Sequence, residues 1–135
     1  MSPENVEIVR GSVELFRAEG LDAWLERVVA SDAVLVQDAE FVEAQTSFGW
    51  EGWRTTFAAW TEEWDDYSME FHEVIGVGDG RVVVTYSDRG RGRHSGAAVE
   101  GPHAAFVHTL KGGKIVHTVI YGRADAALEA VGLRG

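Results

Sequence analysis

Five histidines and no cysteine define the chemistry open to this 135-residue chain. The lack of cysteine removes disulfides, thiol nucleophiles and thiolate metal sites. His72, His94 and His103 show no ligand spacing such as HxxxH, so a dedicated metal site is not expected. His108 and His117 flank the turn Lys111-Gly112-Gly113. A two-residue Gly112-Gly113 turn would pair Lys111 with Lys114 and set His108 opposite His117, a pair able to hold a metal. A three-residue loop with a bulge would pair His108 with Val116 and leave His117 on the outer face. The second register is the expected one. It keeps His108, in phase with Phe106 and Leu110, as a single imidazole able to act as acid or base near neutral pH. A histidine hydrogen-bonded within the core is the alternative.

The other chemistry-bearing stretch is RGRGRHSG, residues 89–96, which has the look of a phosphate-gripping arm. The whole chain argues against that use. It carries 22 acidic residues against 12 lysines and arginines, a net charge of -10, and so repels a polyphosphate. Arg89, Arg91 and Arg93 share one parity on a strand that runs into a turn. Carboxylates such as Asp88 or Glu100 are expected beside them, which makes a solvated, ion-paired strand end. No stretch reaches the ~20 apolar residues a membrane-spanning helix needs, and MSPENVEIVRG is not a signal peptide. A single domain over residues 1–135, soluble and cytoplasmic, with no nucleic-acid or membrane partner, is the expectation.

Three helices lead. Ser2-Pro3 suits a helix start, and Val6, Val9, Val13 and Phe16 recur at helical spacing before Gly20. Leu21, Trp24, Leu25 and Val28 form the apolar face of a second helix, broken by Asp32. Ala33–Gln37 is rich in β-branched residues and reads as a strand. Residues 38–51 have no clean period and read as a loop, with a short strand as the alternative. After Gly52, Trp53, Phe57, Trp60 and Trp64 fall 4, 3 and 4 apart, one aromatic stripe of a third helix. From Tyr67 the period becomes two. Strands are predicted at Ser68–Val77, Arg81–Arg93, Ala97–Leu110 and Lys114–Gly122, with turns at 78–80, 94–96 and 111–113. A last helix covers Ala124–Val131. The order predicts an α+β domain with its helices on one face of an antiparallel sheet.

Taken together, MSPENVEIVR, LDAWLE, AAWTEEW, RVVVTYSDRGRGRHSG and HTLKGGKIVHTVIYGRADAALEAVGL resemble the SnoaL-like (polyketide-cyclase-like) branch of the nuclear transport factor 2-like superfamily. The resemblance spans essentially the whole chain. It implies a cone-shaped curved antiparallel sheet, a cystatin-like α+β barrel, with three N-terminal helices, a short C-terminal helix and a pocket in the cone. It also implies chemistry of the isomerase, cyclase or dehydratase kind.

The isomerase residues of that superfamily are mostly missing here. The carboxylate that shuttles the proton falls on Gln37, with Asp38 one residue later. The two pocket tyrosines fall on Ser12 and Trp60, and the aspartate donor falls on Phe106. Asp38 faces away from the pocket in a regular strand and enters it only if the strand is bulged. The resemblance places Phe106 and Thr118 inside, which favours the second turn register. The candidate acid–base residues are therefore His108, Asp38 and Gln37. The candidate pocket walls are Trp24, Phe57, Trp60, Trp64, Tyr86, Phe106 and Thr118. The expected partner is an apolar, planar small molecule, bound without a cofactor. Any pH dependence between about pH 5 and 8 should come from His108. A non-catalytic ligand-binding domain, or a homodimer built on the outer face of His117, Val119 and Tyr121, is the alternative function.

Overall fold

The computed structural model describes residues 3–38, 45–62, 64–93 and 95–133. Ser2 and His94 lie outside them. Helix α1 (Pro3–Glu19) buries Val9 and, through Gly20, turns into α2 (Leu21–Val28), which buries Trp24, Leu25 and Val28. Strand β1 (Val29–Gln37) follows without a break, four residues earlier than the sequence suggested. Asp32 does not end anything: its side chain is exposed, and the strand continues through it. After β2 (Thr46–Phe48), α3 runs Gly49–Thr61. The meander β3 (Trp64–Val77), β4 (Arg81–Gly92), β5 (Ala98–Lys111) and β6 (Lys114–Tyr121) ends in α4 (Ala124–Ala130).

The curved sheet has the order β2-β1-β6-β5-β4-β3. It is mixed, because β1 lies parallel to β6 while every other neighbouring pair is antiparallel. Nothing in a local pattern of alternation reports that long-range pairing. Bulges bend the sheet and re-aim side chains. One extra residue enters β3 between Asp65 and Ser68, where Asp66 has a φ of 54°. Another enters β5 opposite Ser87–Arg89, at Gly101-Pro102, where a proline without an N–H costs no ladder bond. A third lies in β6 beside Val116.

The turn before β6 is a two-residue one. Gly112 and Gly113 have φ values of 59° and 79°, as a type I′ hairpin turn requires, and Lys111 pairs with Lys114. The bulge then moves the register by one residue, so His108 faces Thr118 and Thr109 faces His117. Neither anticipated register occurs. The two histidines lie on opposite faces of the sheet, and Phe106 faces Ile120, not Thr118.

The two faces carry two cores. Even-numbered residues of β4 and β5, among them Val82, Val84, Tyr86, Ala104 and Phe106, pack against α1, α2 and α3. Odd-numbered Val83, Ala105 and Val107 pack against Ala124, Ala127, Leu128 and Val131 of the last helix segment. The helices therefore do not share one face: α4 covers the outer side and takes Tyr121 into its contact.

Candidate functional site

Asp88 is, among the described residues, the carboxylate that the fold buries. It keeps the parity of Tyr86 and is 2% exposed. Bulges in both neighbouring strands fall beside it. The β3 bulge aims Tyr67 at it, so that the Tyr67 hydroxyl donates a hydrogen bond to Asp88 Oδ1. Trp60 Nε1 donates to the same oxygen at 3.3 Å. Burial pushes the Asp88 carboxyl above the ordinary carboxylate range, and the two donors only partly oppose that rise. Burial also raises the phenols of Tyr67 and Tyr86, with the charge of Asp88 adding to both. These hydroxyls stay neutral and able to donate. The arginines beside Asp88 point the other way. Arg89 pairs with Glu70 at 2.6 Å and Arg93 with Asp65 at 3.4 Å. These two arginines thus pair with acids of β3, and the Glu100 side chain lies outside those described.

His108 occupies the other end of the inner face. It is buried, its ring stacks on Phe106 with centroids 5.5 Å apart, and its Nδ1 lies 2.7 Å from Thr118 Oγ1. Trp24 tilts against it at 6.0 Å. Burial, with no carboxylate among the described residues to offset it, holds its pKa down to about 3. The imidazole is therefore neutral across pH 5–8. Such a depressed pKa runs against the pH dependence expected of His108 in that window.

Three spaces adjoin on the inner side. One, of about 20 Å³, lies among Ser12, Trp24, Phe57, Phe106 and His108. A second, of about 40 Å³, is bounded by Gln37, Thr56, Trp60, Tyr86, Asp88 and Phe106. A third, an open groove of about 350 Å³, runs past Leu21, Arg54, Thr61 and Tyr67. Phe57 and Met69 wall all three. The inner two hold little more than a few waters as they stand, so a ring enters only if these partitions move. Methionine, unbranched and with three rotatable bonds, suits that role.

The structure sorts the expected residues accordingly. Gln37, Trp60, Tyr86 and Phe106 meet around the second space, and Trp24, Phe57 and His108 around the first. Thr118 is fully buried behind His108 and lines neither space. Asp38 does not join them. The β1–β6 register runs unbroken from Val34 to Gln37, so no bulge turns Asp38 inward, and its charge acts on Tyr121 of the outer face. Trp64 is likewise outside. Helix α3 stops at Thr61, and Trp64 opens β3, its ring 6.2 Å from that of Trp60. It rests on Gly90, where a Cβ would come within 3.0 Å of Trp64 Cε3 and 2.9 Å of the Asp65 carbonyl. Of the aromatic stripe, Trp53 is core, its Nε1 bonded to the Ala33 carbonyl at 3.0 Å. Trp60 is the rim, at 36% exposure. Sequence reasoning missed Asp88, Tyr67 and Met69. The signal for Asp88 was present, because it alternates in phase with Tyr86.

This arrangement supplies one poorly solvated carboxylate, neutral phenols and aromatic walls, which together permit proton transfer to or from a bound molecule. Among the described residues no cluster of three or more His, Asp or Glu is arranged to hold a metal. No described helix is long and apolar enough to cross a membrane.

Solved structures share the architecture. A nuclear transport factor 2-like protein from Burkholderia thailandensis superposes with a TM-score of 0.73 at 24% identity, covering 87% of this chain and 88% of that one. A protein from Catenulispora acidiphila with a ketosteroid isomerase-like fold, in complex with trimethylamine, gives 0.68 at 18% identity over 99% and 96% of the two chains. TerC, co-crystallised with polyporic acid, gives 0.70 at 19% identity over 95% and 97%. No curated protein matches. The SnoaL-like domain model matches residues 9–118, which carry β1 through most of β6 and every wall of the inner spaces except Ile120 and Gly122. The chain belongs to the SnoaL-like family.

Proposed function

We propose that this chain binds a small, planar, largely apolar molecule in the space beneath Trp60, and that Asp88 exchanges a proton with it. The reaction class is isomerisation, cyclisation or dehydration without a cofactor. The placement of Asp88 carries this reading: a carboxylate 2% exposed, in a wall otherwise made of Tyr86, Phe106 and Trp60. Poor solvation makes such a carboxylate a stronger base than one in water. Among the described residues, both donors to Asp88 converge on Oδ1, which leaves Oδ2 for the substrate. In the step we envisage, Oδ2 takes a proton from the carbon next to a carbonyl. The C–H electron pair moves into the enolate, whose oxygen accepts a hydrogen bond from the Tyr86 hydroxyl, and Asp88 returns the proton to a different atom. A solved structure of the same fold with polyporic acid supports an organic ligand.

Binding without turnover is the second reading, favoured by an amide, Gln37, at the position where the isomerase resemblance calls for a carboxylate. A panel of cyclic ketones in D₂O, followed by proton NMR, separates the two. Loss of an α-proton signal with the wild type and its persistence with Asp88→Asn is the expected result. Equal exchange with both proteins removes Asp88 as the base. Binding by saturation transfer with no exchange favours the second reading. The homodimer expected on the outer face would bring in His117 and Val119, both half-buried; a monomer by light scattering at micromolar concentration would dismiss it.

A further inference from the structure

Asp88 shares its cavity with a polar atom that proton transfer does not use. Gln37 is the last residue of β1, beside Ile120 of β6, with its N–H bonded to the Gln45 carbonyl at 2.9 Å. Its side-chain Oε1 is buried on the wall of the same space as Asp88. Among the described residues it is the buried side-chain oxygen or nitrogen that has no hydrogen-bond partner. Buried acceptors are ordinarily paired, because an unmet one has lost its water without replacement.

The donors of that wall are committed elsewhere. The Thr56 hydroxyl is paired with Ser47 Oγ at 2.8 Å, and Trp60 Nε1 donates to Asp88. The Tyr86 hydroxyl does not reach Gln37 either, since Oε1 has no partner. A donor for Gln37 therefore has to come from outside the wall. The remaining surfaces describe the rest of the occupant. Tyr86 and Phe106 stack in parallel, with centroids 4.5 Å apart and planes 13° apart. Ala104, Ile120 and Met69 add only carbon and sulfur. Such walls suit a flat, uncharged ring more than a cation or a flexible polar chain.

We infer that Gln37 Oε1 is the recognition point for a hydrogen-bond donor on the ligand, so that the occupant is a flat ring system bearing a hydroxyl. This rests on the reading of the cavity as a ligand site but not on turnover. Rings whose oxygens only accept, as in ethers, leave Gln37 unmet and are discriminated against. Gln37 thus selects and orients the ligand, while Asp88 remains the group that exchanges the proton.

The test compares 2-naphthol with 2-methoxynaphthalene by titration calorimetry on the full chain. Wild type should bind the naphthol about tenfold more tightly, the effect of one buried hydrogen bond. Gln37→Met, which keeps length and removes the acceptor, should bring the two affinities together. Its melting temperature should not fall, because no protein hydrogen bond is lost. Asp88→Asn should keep the tenfold preference. Equal affinities in the wild type, or no binding of either probe, would overturn the inference without any variant being needed. A preference that survives Gln37→Met would overturn it too. A preference lost in Asp88→Asn but kept in Gln37→Met would assign the hydroxyl to Asp88 instead. If the preference follows Gln37 while no ketone exchanges protons, the recognition point stands and the catalytic reading falls.

Discussion

Asp88 and His108 are a carboxylate and an imidazole buried on the inner face of one sheet, and the fold treats them oppositely. His108 meets a threonine hydroxyl and aromatic rings, so burial holds it neutral. Asp88 meets a phenol and an indole N–H, both donors, which partly offset a burial that otherwise favours the acid form. Depth alone does not make a group functional. What its partners do to the balance between charged and neutral forms decides which residue can exchange a proton in the working range.

The largest expected effect comes from breaking the Asp88 end. Asp88→Asn should reduce α-proton exchange by about 10²-fold or more, the range for a positioned acid–base group. His108→Gln should change the rate by less than about threefold and leave its pH profile in place. Comparable losses from both variants would erase the distinction between the two groups.

Stability against pH should separate them next, with opposite signs. A histidine whose folded pKa is about 3 is protonated first in the unfolded chain. It contributes stability above its unfolded pKa of about 6.5 that is lost progressively as the pH falls toward 3. His108→Gln should therefore flatten the acid limb of a thermal-stability profile between about pH 6 and 4. Asp88, raised in the fold, binds its proton more tightly there than in the unfolded chain. It destabilises above its folded pKa, and that penalty is relieved as the pH falls toward about 3.9. Asp88→Asn, which removes the buried charge and retains an acceptor oxygen for Tyr67 and Trp60, should raise the melting temperature near neutral pH by a few degrees. Calorimetric scans of the three proteins across pH 4–8 check both signs at once.

The smallest effect sharpens the role of the donors. Tyr67→Phe removes a hydrogen bond that lowers the Asp88 pKa, so the exchange profile should move to higher pH with its maximum changed by only about two- to fivefold. A profile moving to lower pH would mean that Tyr67 does not donate to the carboxylate.

Much of this was legible in the residues, and the gaps have physical causes. The resemblance placed Phe106 inward, and strand alternation sets Asp88 in phase with Tyr86; the arginines that follow it, Arg89, Arg91 and Arg93, made it read as one more surface charge. The helix-spaced Trp60 and Trp64 read as one stripe, yet the helix ends at Thr61 and Gly90 supplies the seat for Trp64. Register was the least legible feature. A one-residue bulge beside Val116 keeps both Ile115 and Thr118 buried and sends His117 to the opposite face from His108. The bulges beside Asp88 leave no mark in hydrophobic periodicity, although Pro102 hints at one. The parallel β1–β6 pair and the crossing of α4 to the outer face depend on contacts far apart in sequence.

The most direct measurement is an NMR titration of one sample labelled with ¹³C at aspartate carboxyls and ¹⁵N at histidine rings, from pH 3.5 to 8. Asp88 Cγ should titrate with a midpoint above the ordinary carboxylate range, while the His108 ring nitrogens stay neutral from pH 8 to 5. An Asp88 midpoint at or below that of the exposed aspartates, with His108 titrating near pH 6.5, would contradict the assignment of Asp88 as the working acid–base group.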